Sequence, residues 1–161
     1  MARILIFALS CCFLASAASA QPRSVGTFGL WGAFADRERC YAIARPTESS
    51  HRSGDAAAYV GYWPDQGARG QLHLRLGADK RDASAVLLRI DGRSFQLVGR
   101  GREAWATDAR ADAELVSAMR TGLVMIVETR SARGGLVRDF YRLQGAPSAI
   151  DAAALACSRS R

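Results

Sequence analysis

Residues 87–98 read LLRIDGRSFQLV, and the pair at their centre, Asp91-Gly92, decides how the middle of the chain folds. Asp-Gly between two apolar runs is the mark of a two-residue type I′ turn, whose twist matches that of the strands it joins. Such a turn also fixes the register. Ile90 then faces Arg93, Leu88 faces Phe95 and Val86 faces Leu97, and these residues share one largely apolar face. Arg89, Ser94 and Gln96 fall on the other face, with Leu87 and Val98 as apolar exceptions. The segment reads as a β-hairpin with one side in a core.

The same alternation extends outward. In QLHLRL (71–76), Leu72, Leu74 and Leu76 point one way and Gln71, His73 and Arg75 the other. GLVMIVET (122–129) is a continuous apolar run, which predicts a strand covered on both faces. RSARGG (130–135) turns the chain into LVRDFYRL (136–143), a second hairpin. AAYVGYW (57–63) and LWGAF (30–34) are further strands, rich in aromatics. Two segments have helical spacing instead. DARADAELVSAMRTG (108–122) starts acidic, with Asp108 or Asp112 as cap, carries Leu115, Val116 and Met119 as an apolar stripe, and stops at Gly122. The segment from Ala146 onward opens with Pro147 and Ser148, and Asp151 stands three residues after Ser148, near the pattern of a capping box. Ile150, Ala153, Ala154 and Cys157 fall on one side of that helix. The expectation is a mainly β domain, a β-sandwich or barrel-like single domain, with two short helices at about 108–121 and 147–157.

The N-terminus, MARILIFALSCCFLASAASA, has a cationic start at Arg3, a short apolar core and the small-x-small ending Ala18-Ser19-Ala20. That is the pattern of a secretory signal peptide over residues 1–20, cleaved between Ala20 and Gln21, with a single domain over 21–161. A lipoprotein acylated at Cys11 or Cys12 and an uncleaved anchor are the competing readings; both cysteines lie inside the apolar run, not at its end. Cleavage removes Cys11 and Cys12 and leaves Cys40 and Cys157. In an oxidising compartment this lone pair reads as a disulfide, against two free buried thiols as the alternative. A loop of that size is worth about 4–5 kcal/mol in the chain-entropy account. The mature chain contains no segment that would span a membrane.

The formal charge is +7. A basic balance points toward anionic partners. One lysine, no asparagine and many arginines also fit simple codon bias, and the arginines form no dense tract, so no nucleic-acid partner is expected.

Chemistry is harder to find. His51 sits in the polar loop TESSHRSGD and His73 on the polar side of a strand, with no metal-ligand spacing between them; both read as solvated, and no metal is expected. Ser50, His51 and Asp55 match a triad in composition but not in arrangement, because neighbours in one loop do not supply the nucleophile–base–orienter geometry. GRGREA (99–104) has glycine spacing like that of a dinucleotide loop but no helix straight after it, so it reads as a plain loop and no cofactor is expected. Among the tryptophans, Trp31 and Trp105 are expected in the core, and Trp63, just before Pro64, is the candidate surface contact.

Taken in order, FGLWGAF, RCYAIARP and the long stretch from AWATDARADAELVSAMRTG through DFYRLQG to the Ala-rich C-terminal segment resemble the invasion-associated locus B family of alphaproteobacterial envelope proteins. Leu30 stands where many members carry aspartate, and a second cysteine pair common in the family is absent. The resemblance implies a periplasmic or secreted β-rich domain and supplies no catalytic residues. The expected function is that of a non-enzymatic envelope protein binding another macromolecule, an envelope protein or an anionic envelope component. The alternatives are an envelope hydrolase or carbohydrate-active enzyme using dispersed groups such as His51, Asp55 and Asp65, and a host-cell invasion factor.

Overall fold

The computed structural model describes residues 21–51 and 55–159. The expected signal segment, and with it the Ala20 side of the expected cleavage point, lies outside the described residues; Gln21 is exposed. Eleven strands form one antiparallel sheet: β1 (Arg23–Phe28), β2 (Trp31–Ala35), β3 (Cys40–Ala44), β4 (Glu48–Ser49), β5 (Ala57–Trp63), β6 (Ala68–Arg75), β7 (Val86–Ile90), β8 (Arg93–Arg100), β9 (Glu103–Trp105), β10 (Val124–Arg130) and β11 (Leu136–Arg142). Their order across the sheet is β1-β2-β3-β5-β6-β9-β8-β7-β10-β11-β4. The sheet curls into a half-barrel, so the barrel-like form of the expectation is the one realised. Two helices, α1 (Ala109–Thr121) and α2 (Ala146–Ser158), complete the fold.

The 87–98 hairpin supplies β7 and β8, which stand between β9 and β10 in the sheet. Its pairs are Val86 with Leu97, Leu88 with Phe95 and Ile90 with Arg93, the register the turn dictates. Asp91 and Gly92 both have positive φ, 44° and 87°, as a type I′ turn requires. The Asp91 carboxylate also accepts the Leu123 N–H at 2.7 Å and the Val124 N–H at 3.2 Å, tying the turn to the start of β10.

The concave side is the core. Leu72, Leu74, Leu76, Leu88, Ile90 and Leu115 are fully or almost fully buried there with Trp31, Met119, Met125 and Ile150. Asp108 caps α1, accepting the Ala111 N–H at 2.8 Å. The buried Asp112 one turn on is not the cap; it accepts the Leu72 N–H at 2.8 Å and so links α1 to β6. α2 is capped differently from the sequence expectation. Its cap is Gly145 in the left-handed region, with no side-chain hydrogen bond. Ser148 and Asp151 form no capping box, since both already lie within the helix; Asp151 instead pairs with Arg120 of α1 at 2.7 Å.

Two contacts bring the ends of the sheet together. The buried Trp31 indole donates to the Arg142 carbonyl at 3.0 Å, joining β2 to β11. The β1–β2 turn lies directly on Gly145, where an added Cβ would stand 1.8 Å from the Phe28 carbonyl oxygen. One strand expectation needs correction. β10 is covered on its core side, where Met125 and Val127 are buried, but Val124 is exposed on the other side and Leu123, just before the strand, is exposed too. A continuous apolar run implied two covered faces, yet on the outer side cover grows only along the strand, from the exposed Val124 through the half-buried Ile126 to Glu128, buried with Arg89 and Arg138 paired to it.

Candidate functional site

The side of the sheet turned away from the core carries the most organised group of side chains. Phe34, Tyr41, Tyr59, His73 and Trp105 are the outward residues at successive positions across β2, β3, β5, β6 and β9, and all are half-buried. Backbone pairing sets the row: Phe34 opposes Tyr41, Tyr59 opposes His73, and His73 opposes Trp105. The rings stack along it. Phe34–Tyr41 centroids are 5.7 Å apart at 22°, Tyr59–His73 5.4 Å at 24°, and His73–Trp105 5.5 Å at 14°; Tyr41–Tyr59 closes the chain at 6.1 Å, tilted by 56°. With strands about 4.8 Å apart, five rings make a ladder about 20 Å long. Near-parallel rings at these separations are offset stacks that use their π faces on one another. The ladder therefore offers ring edges to a partner, not a flat stacking platform.

Glycines make room beside the ladder. A Cβ on Gly32 would meet the Phe34 ring at 2.9 Å, and one on Gly61 would meet the Trp63 ring at 2.3 Å. Trp63, the candidate surface contact, thus lies over Gly61 on the outward side of β5, half-buried, and widens the same aromatic face. At the far end Trp105 opposes Val98 on β8. Val98 is 55% exposed and Leu87, outward on the neighbouring strand, is 40% exposed. The two exceptions to the hairpin's alternation are therefore the apolar continuation of the ladder.

Charge surrounds it. Arg39 lies over the Tyr41 ring with its guanidinium carbon 5.3 Å from the centroid, and Asp36 holds it there through its Nε at 3.2 Å while also accepting the Glu38 and Arg39 backbone N–H groups. These hydrogen bonds outweigh burial and hold the Asp36 carboxyl below its usual range. Glu103 accepts from His73 Nε2 at 2.6 Å and pairs with Arg75 at 3.3 Å. Arg100 is exposed directly opposite Glu103. The Asp36 and Glu103 carboxylates are thus already engaged by Arg39, His73 and Arg75. Burial pushes the Tyr41 phenol up, so it remains a protonated donor at neutral pH.

The sequence did not reveal this ladder. Trp105 was expected in the core but is outward, because β9 pairs with β6 so that Ala104, not Trp105, faces inward. His73 was expected to be simply solvated, yet it is clamped between two rings and a carboxylate. The available signal was that each strand puts one ring at its polar parity. What was missing was the strand order that places those rings side by side. Trp31 is core as expected.

The other expected residues fall elsewhere. Cys40 of β3 and Cys157 of α2 stand at disulfide distance, with sulfurs 2.14 Å and Cα atoms 5.6 Å apart. GRGREA, read as a loop, is the end of β8, a two-residue turn at Gly101-Arg102 with Gly101 at φ 56°, and the start of β9. His51 lines a cleft of about 530 Å³ with Gly77, Asp79, Arg102, Ser131 and Arg133. Ser50 Oγ contacts His51 Nδ1 at 3.1 Å but accepts the Arg138 N–H at 2.7 Å, so the hydroxyl fastens the edge strand β4. Asp55 pairs with Arg102 at 3.4 Å. The fully buried Asp139 accepts from Ser49 Oγ and from the Gly77 N–H at 3.2 Å; desolvation nevertheless pushes its carboxyl up. Asp65 lies in the 3₁₀ turn Pro64–Gln66. Ser50 and His51 are therefore neighbours, while Asp55, the carboxylate grouped with them in the sequence, is paired with Arg102.

No protein-family model matches the chain, and no curated protein matches it. Among solved structures the chain is similar to the crystal structure of invasion associated protein b from Bartonella henselae. The TM-score is 0.58 at 17% identity, over 87% of this chain and 99% of that one. At that identity the likeness shows a shared fold. No helix among the described residues is long and apolar enough to cross a membrane.

Proposed function

We propose that this is a non-enzymatic extracytoplasmic protein that binds an anionic glycan of the bacterial envelope on the outward face of β2, β3, β5, β6 and β9. The observation that carries the reading is the ring ladder from Phe34 to Trp105, half-exposed on the outward face and edged by Arg39, Arg75 and Arg100. Ring edges, phenol hydroxyls and guanidinium groups are donors, and they suit a partner rich in hydroxyl, carboxylate and phosphate acceptors. The cysteine pair supports an oxidising compartment, as does the secretory pattern of the N-terminus. The similar fold of a Bartonella protein described as invasion associated supports the same general setting.

The test is equilibrium binding of the mature protein to purified lipopolysaccharide core oligosaccharide across a salt series. The reading expects saturable binding that weakens but persists at about 0.15 M salt, and that is lost together in Tyr59→Ala and Arg39→Gln. Binding that disappears uniformly with salt and ignores Tyr59→Ala would reduce the interaction to net charge and sink the proposal.

A further inference from the structure

A second site lies beside the cysteine pair, on a different part of the surface. Tyr62, Pro64, Ala68, Arg69, Ala154 and Cys157, with Ser158, line a cavity of about 220 Å³ between the β5–β6 connection and the end of α2. Its walls are chiefly apolar. At about 30 Å³ per water-sized group it has room for about seven such groups, the body of a benzene ring or a six-carbon chain. Small residues create the space: Ala68 on β6 and Ala154 on α2 leave open what larger side chains would fill. Cys157 anchors the helix against β3, so the distance between the walls is fixed and not left to the fraying of a C-terminal turn.

The charges around this cavity are unequal. Arg120, near the Tyr62 phenol, is neutralised by Asp151 at 2.7 Å. Arg69, exposed at the rim, has no carboxylate partner among the described residues. An apolar pocket with one uncompensated guanidinium at its mouth is complementary to a small molecule with an apolar body and a single anionic end. We infer that this cavity binds a small monocarboxylate, with its ring or short chain between Pro64, Ala68 and Ala154 and its carboxylate on Arg69.

The experiment is a ¹H–¹⁵N NMR titration of the mature, oxidised protein with benzoate, using benzyl alcohol as the neutral isostere. The inference expects saturable shifts centred on Ala68, Arg69, Ala154 and Cys157, with benzoate binding about tenfold more tightly than benzyl alcohol. Arg69→Gln should remove that preference while leaving weak binding of both molecules. Ala154→Leu should fill the pocket and abolish binding of both, with melting temperature checked to confirm the fold. Equal affinity for the two probes, unchanged benzoate binding in Arg69→Gln, or no saturable shifts in the folded wild type would each overturn it.

Discussion

Two residues show how local chemistry sets this structure. Gly145 must be glycine twice over: its φ is 90°, and the Phe28 carbonyl occupies the place of a Cβ. Gly145→Ala should cost at least about 2 kcal/mol in chemical denaturation, because the β1–β2 turn has to move off α2. Asp139 makes the opposite kind of prediction, about a charge. Burial pushes its carboxyl up despite the Ser49 hydroxyl and the Gly77 N–H. The folded state therefore holds the proton to higher pH than the unfolded chain, and ionising Asp139 disfavours folding as pH rises through that interval. Asp139→Asn keeps an acceptor without the charge. Melting temperatures followed from about pH 4 to about pH 7 should move in the variant's favour relative to wild type. A constant difference across that range would contradict the assignment. Neither role was legible in the sequence, since both depend on what lies opposite in space. The turn pair Asp91-Gly92 was legible, because a type I′ turn needs only its own two residues.

Elements differ in the same way. The alternation in 71–76 and the stripe of Leu115 and Met119 survive into the structure because periodicity reports which side is buried. The run 122–129 misled because an apolar composition does not say whether a second layer exists to cover it. Between elements, the pair Cys40 and Cys157 holds α2 on β3. Cys40→Ser and Cys157→Ser should each lower stability by a similar amount, up to about 4–5 kcal/mol, and the double variant should be no worse than either. Additive losses in denaturant melts would show that the two act separately. The ring ladder predicts a different scale of effect. Tyr59→Ala and His73→Ala should each cost only about 0.2–1 kcal/mol, as cross-strand pairs on an open face do. Leu74→Ala on the other side of the same strand as His73 should cost about 2–5 kcal/mol. If the ladder residues cost as much as Leu74, the ladder is a structural layer and not a surface kept for a partner.

At the scale of the whole molecule, the half-barrel has two unlike sides. Its concave side, filled by α1 and α2, holds the fold together. Its convex side carries rings, arginines and the exposed Val98 and Leu87, whose cost in water a free-standing domain gains nothing from. The sequence pointed to a basic β-rich domain with Cys40 and Cys157 as its candidate pair, but not to this face. A face is assembled from residues on five strands whose neighbours are set by topology, and topology is not written in any one segment. The proposed function stands or falls on whether an anionic glycan binds this face. The most direct measurement is backbone NMR of the mature protein titrated with lipopolysaccharide core oligosaccharide at about 0.15 M salt. The account predicts saturable shifts clustered on Phe34, Arg39, Tyr41, Tyr59, His73 and Trp105, with the helices and the His51 cleft unmoved. Shifts scattered over arginines on every side, or gathered at the His51 cleft, would contradict it.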